Sequence, residues 1–187
     1  MDLMRDFFFV RLTRSASYNM KYALEVPKLG HVSAASYIEQ HGIEEWNRRF
    51  TFAFVRNPWD KLVSWHCYTK QCCKRKDVHY CEKDYGFGEW IRSGCPHHWT
   101  VEQGNPLTQL DWISHDGERV VEFVGRFENI ECDFAVVCER IGSDAELKMK
   151  NRNHSLRSNY RDYYTRETRD LVADMFREDI EAFGYEF

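Results

Sequence analysis

Phe50 to His66 reads FTFAFVRNPWDKLVSWH, an apolar run that passes through Arg-Asn-Pro into a helix. Phe50, Thr51, Phe52, Ala53, Phe54 and Val55 are mostly aromatic or β-branched, without polar alternation. That is the pattern of a strand covered on both faces of a parallel sheet. Asn57 is a good N-cap and Pro58 suits the first helical position, so a helix is expected immediately after Arg56. In open α/β sheets ligands bind at the carboxyl ends of the strands, where a helix N-terminus favours anions. Arg56 stands at that junction, and a guanidinium can grip phosphate with two parallel hydrogen bonds. Asn57, Lys61 and Ser64 share one face of the helix by spacing, whereas Trp59, Leu62, Val63 and His66 fall on other faces and are expected to pack. Taken alone, the pattern also fits a plain strand-to-helix turn with a solvated arginine.

Outward from this junction the chain reads as an α/β unit. Phe7 to Leu12 is expected as a first strand, followed by a helix from about Ser17 to Leu24 and a short one from Ser33 to His41. The helix opened by Pro58 is expected to reach about Tyr68. Residues 72–117 are irregular, polar and rich in Cys, His and Trp, with short helices expected at Phe87–Arg92 and near Pro106–Ile113. In the last helix Leu171, Val172, Met175, Phe176, Ile180 and Phe183 recur at three- and four-residue spacing, a core stripe. There is no repeat, low-complexity tract or linker, so one domain over 1–187 is expected.

Composition narrows the function classes. A chain of 187 residues with 43% hydrophobic content can bury a sizeable core and is not of the disordered kind. A net charge of -4 gives no basis for nucleic-acid binding. No run approaches the roughly 20 apolar residues of a membrane span. The start MDLMRDFFFV is too short and wrongly flanked for a signal peptide, so the expectation is a cytoplasmic protein or a chain trimmed from a longer one.

Phe54 to Trp65, FVRNPWDKLVSW, closely resembles the 3′-phosphate-binding segment of sulfotransferases that use 3′-phosphoadenosine 5′-phosphosulfate. In that family the arginine and the later serine bind the 3′-phosphate of the nucleotide, which the resemblance carries to Arg56 and Ser64. Val121–Asn129 with Asp133-Phe134 and the helical CERIG resembles the family's third strand and next helix. Asn153-His154-Ser155, Tyr160–Tyr164 and Asp179–Phe187 match small bacterial and carbohydrate 2-O-sulfotransferase-like members. The fold so implied is a P-loop NTPase-like three-layer sandwich, with a short central parallel sheet flanked by helices and residues 72–117 as an acceptor-site insertion.

By position, Arg14, Ser15, Ala16, Ser17, Tyr18 and Asn19 stand where the family has its 5′-phosphosulfate loop, usually Lys-Thr-Gly/Ala-Gly-Thr-Ser. Sulfonate transfer leaves negative charge on the bridging oxygen, so a cation and backbone N–H groups should stabilise the transition state. Arg14 supplies that cation with a geometry different from lysine. Ser17 in place of glycine limits positive φ there. The loop therefore leaves two function classes open: an active transferase, or a homologue that binds the nucleotide without turnover. The Gly-Lys-Ser/Thr ending of a Walker A loop is missing, which disfavours a generic P-loop NTPase.

The attacking hydroxyl must lose a proton, and histidine is the side chain best matched to that task near neutral pH. His31 lies in Gly30-His31-Val32-Ser33, which resembles the segment holding the base of carbohydrate 2-O-sulfotransferases. His66 is the reserve candidate. Ser155 is expected at the nucleotide by resemblance, Asn153-His154-Ser155 being also a bare N-glycosylation sequence. The resemblance implies the phosphosulfate nucleotide as donor, a hydroxyl acceptor, most simply a glycan, and no metal. Seven cysteines interleave with His79, His97 and His98, but no C-x2-C pair occurs and free thiols are the simpler reading. Trp90, Trp99, Gln109 and Trp112 either face sugar rings or pack a domain edge. Lys70, Lys74, Arg75 and Lys76 read as a solvated helix end rather than a polyanion site. Arg126 and Glu128 read as structural, and Asn129 as the N-cap of the following helix.

Overall fold

Phenylalanine strands build the sheet. The computed structural model describes residues 6–27, 30–74, 86–95, 108–148 and 158–187. In chain order the elements are β1 (Phe7–Val10), α1 (Ser17–Ala23), α2 (Ala34–His41), α3 (Ile43–Asn47), β2 (Phe50–Val55), α4 (Pro58–Lys74) and α5 (Phe87–Arg92). They continue with α6 (Gln109–Trp112), β3 (Ser114–His115), β4 (Glu118–Arg119), β5 (Phe123–Arg126), α7 (Ile130–Ile141), α8 (Arg166–Met175) and α9 (Arg177–Phe183). Single 3-10 turns cover Phe127–Asn129 and Tyr160–Tyr163. These elements group into two units, Met1–Arg56 with Thr108–Lys150, and Asn57–Leu107 with Asn151–Phe187.

The first unit holds a parallel sheet in the order β1-β2-β5, with Phe9 opposite Phe52, and Phe52 opposite Phe123. As the central strand, β2 is buried from Thr51 to Val55, as its unbroken apolar sequence requires. Successive strand residues point to opposite faces, so Phe8 and Phe9 serve different layers. Phe9, Phe52 and Phe54 pack with Met20 and Leu24 next to α7 residues Phe134, Val137 and Cys138. Phe8 stacks instead on Trp46, with ring centroids 5.5 Å apart, and tilts against Tyr37 at 5.0 Å. Each large apolar side chain buried in this way contributes about 1.5–3 kcal/mol. Where β5 passes Phe54 the chain has Gly125: a Cβ there would sit 2.6 Å from the Phe54 ring.

Two elements of this unit were not expected. Helix α3 is five residues long, and the β3–β4 ribbon turns through Asp116 and Gly117 at φ of 51° and 80°. Positive φ at both central residues is the type I′ hairpin turn, for which Asp-Gly is a favoured pair. The expected cap at Asn129 takes another form. Its amide donates to Asp133 Oδ1 at 2.8 Å, and Asp133 Oδ2 accepts the Arg126 N–H at 2.6 Å, so the carboxylate of α7's first turn organises the strand-to-helix passage.

In the second unit Asn57 caps α4 as expected, its Oδ1 accepting the N–H groups of Trp59 at 3.0 Å and Asp60 at 3.4 Å. Its amide nitrogen also donates to the Glu186 carbonyl at 2.8 Å, which ties the C-terminal segment to the start of α4. Trp59 donates from its indole to the Arg169 carbonyl, and Tyr164 donates to the Trp59 carbonyl. The helix runs to Lys74, beyond the expected Tyr68. The C-terminal stripe is split: Phe176, at φ -118° and ψ 29°, separates α8 from α9. Val172, Phe176 and Phe183 are buried, whereas Leu171 lies at the surface. Among the described residues no helix is long and apolar enough to cross a membrane.

Candidate functional site

The chain leaving β1 turns through Thr13–Ala16 before α1 begins at Ser17. Arg14 and Ala16 adopt φ of 62° and 55°. The left-handed conformation thus falls on either side of Ser15, and Ser17, the position read as restrictive, is already helical. Left-handed geometry costs a non-glycine residue about 1 kcal/mol or more, and such strain clusters at ligand-holding loops. Alternation of this kind also turns successive backbone N–H groups toward one concavity, the arrangement that cradles anions. Ser15 is wholly buried and Ser17 nearly so, fixing the loop from beneath.

Arg56, one residue past β2, closes on this loop. Its Nη1 donates to the Arg14 carbonyl at 2.8 Å, and its guanidinium carbon lies 3.9 Å from the centre of the Phe127 ring. Only 5% of the residue is exposed. A desolvated guanidinium over an aromatic face gains about 2 kcal/mol, and the flat stack fixes the plane in which its donors point. Two arginines singled out from the sequence are therefore brought together, one by side chain and one by backbone. Phe127's part is signalled in the chain only by its place in the GRFEN motif.

His31 is held against the end of β1. Its Nδ1 lies 2.6 Å from the Arg11 carbonyl oxygen, which can only accept, so Nδ1 carries the proton and the lone pair falls on Nε2. Burial pushes the imidazole below its ordinary value; the carbonyl bond opposes that shift, and the charge of Arg11 reinforces it. The ring stands edge-on to Trp112. A neutral histidine with a basic Nε2 is suited to accept a proton near pH 7.

Beside the loop, Tyr18, Asn19, Tyr22 and Ala23 of α1 face Asp144, Glu146 and Lys148 across a groove of about 390 Å³. Tyr18 and Tyr22 are exposed and joined by a hydroxyl bond of 3.1 Å. In the second unit Ser64 and Lys61 are buried, and His66 packs against Phe87 and Trp90 as expected of a structural residue. Trp90 and Trp112 are 4% exposed, which settles their open reading in favour of packing, and Gln109 is wholly buried with Arg56. Burial also pushes the Cys95 thiol up to about 12, leaving it a neutral core group. Cys67, Cys95, Cys132 and Cys138 are free thiols. No group of three His, Cys, Asp or Glu side chains suited to a metal occurs among the described residues. Ser155, Asn153, His79, Cys81, His97, His98, Trp99, Arg75 and Lys76, and the side chains of Cys72, Cys73 and Lys74, lie outside the described residues.

Residues 8–186 match the model of the sulfotransferase family. An uncharacterized protein of Archaeoglobus fulgidus is 32% identical over 110 residues, which cover 59% of this chain and 81% of that protein. The crystal structure of mouse sulfotransferase SULT7A1 complexed with PAP is similar at a TM-score of 0.55 and 15% identity, covering 94% of this chain and 84% of that one. At that identity the likeness shows the fold, a short parallel three-stranded sheet flanked by helices.

Proposed function

The chain belongs to the sulfotransferase family, and from that premise we propose that it moves a sulfonate group from 3′-phosphoadenosine 5′-phosphosulfate to a hydroxyl of a carbohydrate acceptor. The observation that carries this reading is the bond from the Arg56 guanidinium to the Arg14 carbonyl, which holds a buried cation against a strained turn at the carboxyl ends of β1 and β2. Such a place suits a ligand with phosphate at one end and phosphosulfate at the other. The family resemblance assigns the 3′-phosphate to Arg56 and Ser64, the 5′-phosphosulfate to Arg14–Asn19, and a further contact to Ser155. The exposed rings of Tyr18 and Tyr22 offer a planar base a face to stack on.

In the proposed reaction the acceptor oxygen attacks sulfur while His31 Nε2 takes the hydroxyl proton. The bond between sulfur and the bridging oxygen breaks, and its electron pair stays on the phosphate of adenosine 3′,5′-bisphosphate. Arg14 and the loop amides stabilise that developing charge. The acceptor assignment rests on the Gly30-His31-Val32-Ser33 resemblance to carbohydrate enzymes.

The test is a transfer assay with radiolabelled donor and a panel of glycans and small alcohols, together with thermal melting in the presence of the bisphosphate. The expected result is a rise in melting temperature and label on a glycan. A thermal rise without transfer to any acceptor would assign the chain to the class that binds without turnover. No rise at high ligand concentration would remove the donor site altogether.

A further inference from the structure

Where β2 ends, the backbone of Arg56 still needs partners, because an interior N–H or C=O left without one is costly. Gln109 supplies both. Its Oε1 accepts the Arg56 N–H at 2.9 Å, and its Nε2 donates to the Arg56 carbonyl at 2.8 Å. A carboxamide has the donor and acceptor of a peptide group, so this side chain continues the hydrogen-bonding edge of β2 by one residue beyond the strand. Gln109 is wholly buried, and its own helix is fixed by the Thr108 hydroxyl accepting the Asp111 N–H and by burial of Trp112 and Ile113. The consequence falls on the Arg56 side chain. With the backbone held at both polar atoms, its Cα–Cβ direction is set, and the guanidinium lands on Phe127 and reaches Arg14.

We propose that Gln109 is a positioning residue for phosphate recognition, acting through the backbone of Arg56; the proposal rests on the reading of Arg56 as a ligand of the donor's 3′-phosphate. Gln109 itself need not touch the donor. Its removal should therefore weaken ligands in proportion to what Arg56 contributes to them and leave other ligands alone.

The experiment measures binding of adenosine 3′,5′-bisphosphate and adenosine 5′-monophosphate to the full chain by calorimetry, for wild type, Gln109→Met, Arg56→Ala and the double variant. Gln109→Met keeps the volume and removes both hydrogen bonds. We expect it to lose about tenfold in bisphosphate affinity, the equivalent of about 1.4 kcal/mol, with monophosphate affinity changed less than about twofold. In the Arg56→Ala background the same substitution should have no further effect, since its effect is routed through that side chain. General loss of structure would depress both nucleotides alike, so the selectivity is the deciding readout. If Gln109→Met does not fold, Gln109→Asn decides, because it keeps the amide but is too short to span both backbone atoms. Wild type that binds bisphosphate while either folded variant binds it equally well would overturn the inference. Equal losses for both nucleotides, or additive losses in the double variant, would also overturn it. Wild type that fails to prefer bisphosphate over monophosphate would instead overturn the reading of Arg56 on which it rests.

Discussion

Arg56→Lys separates geometry from charge at the junction. Lysine keeps the positive charge but replaces a flat, five-donor fork with a compact ammonium on a flexible stem. Two interactions of Arg56 depend on the fork: the stack on Phe127 at 3.9 Å and the 2.8 Å bond to the Arg14 carbonyl. A desolvated cation–π contact contributes about 2 kcal/mol and a hydrogen bond from a charged group about 1.5–3 kcal/mol. Lysine recovers part of each, because its ammonium is still attracted to an aromatic face and to a carbonyl. The expected net loss in affinity for adenosine 3′,5′-bisphosphate is about 1.5–3 kcal/mol, a weakening of roughly 10- to 150-fold. Titration calorimetry at several salt concentrations measures it, and the slope of affinity against salt should stay close to wild type, because the number of charges is unchanged. Urea melts of the free protein, run in parallel, report how much of the loss belongs to folding. An affinity within about threefold of wild type would show that charge alone suffices and refute the argument from stacking and fork geometry.

Three further outcomes are expected. His31→Ala should reduce turnover by about 100- to 10,000-fold while bisphosphate affinity stays near wild type, and near-normal turnover in the transfer assay would take His31 out of the mechanism. His31 also predicts a pH dependence of folding: its native value is depressed, so as pH falls below 6.5 the unfolded chain takes up the proton first. Stability should therefore decline over the interval between 6.5 and the depressed native value, and be flat in this contribution above 6.5, whereas His31→Gln should lack that decline in urea melts taken across the range. Gly125→Ala should destabilise the fold by about 1–3 kcal/mol, read as a lower urea midpoint at unchanged slope, because the new methyl would lie 2.6–2.9 Å from three atoms of the buried Phe54 ring.

The junction was legible because each of its parts is decided locally. An unbroken apolar run admits few structures other than a covered strand, and Asn-Pro after it fixes both the cap and the first turn of α4. Helix α1 and the short helix α2 were legible as elements for the same reason. What escaped was short or set by tertiary placement. The strands flanking Asp116-Gly117 are two residues each, too brief to show alternation. The C-terminal stripe had continuous helical spacing, and nothing in the residues marks the break at Phe176, whose side chain is 1% exposed and whose backbone leaves helical geometry.

The Arg14–Asn19 loop is the instructive case. Ser17 stands at the position of the family's glycine, where a residue that limits positive φ would be an obstacle if that position were left-handed. In the structure the left-handed residues are Arg14 and Ala16, and Ser17 begins a regular helix. The strain has been moved, and it is held by a bond the sequence could not reveal, since Arg14 and Arg56 lie 42 residues apart. Gln109, 53 residues from Arg56, holds the other end of that bond in place. A change of residue type inside the loop is therefore read correctly only with the side chains that grip its backbone. For this chain those are Arg56 on the Arg14 carbonyl and Gln109 behind Arg56. Phosphate binding should accordingly be more sensitive to Arg56 and Gln109 than to replacing Ser17 by glycine, whose extra conformational freedom a helical residue does not use.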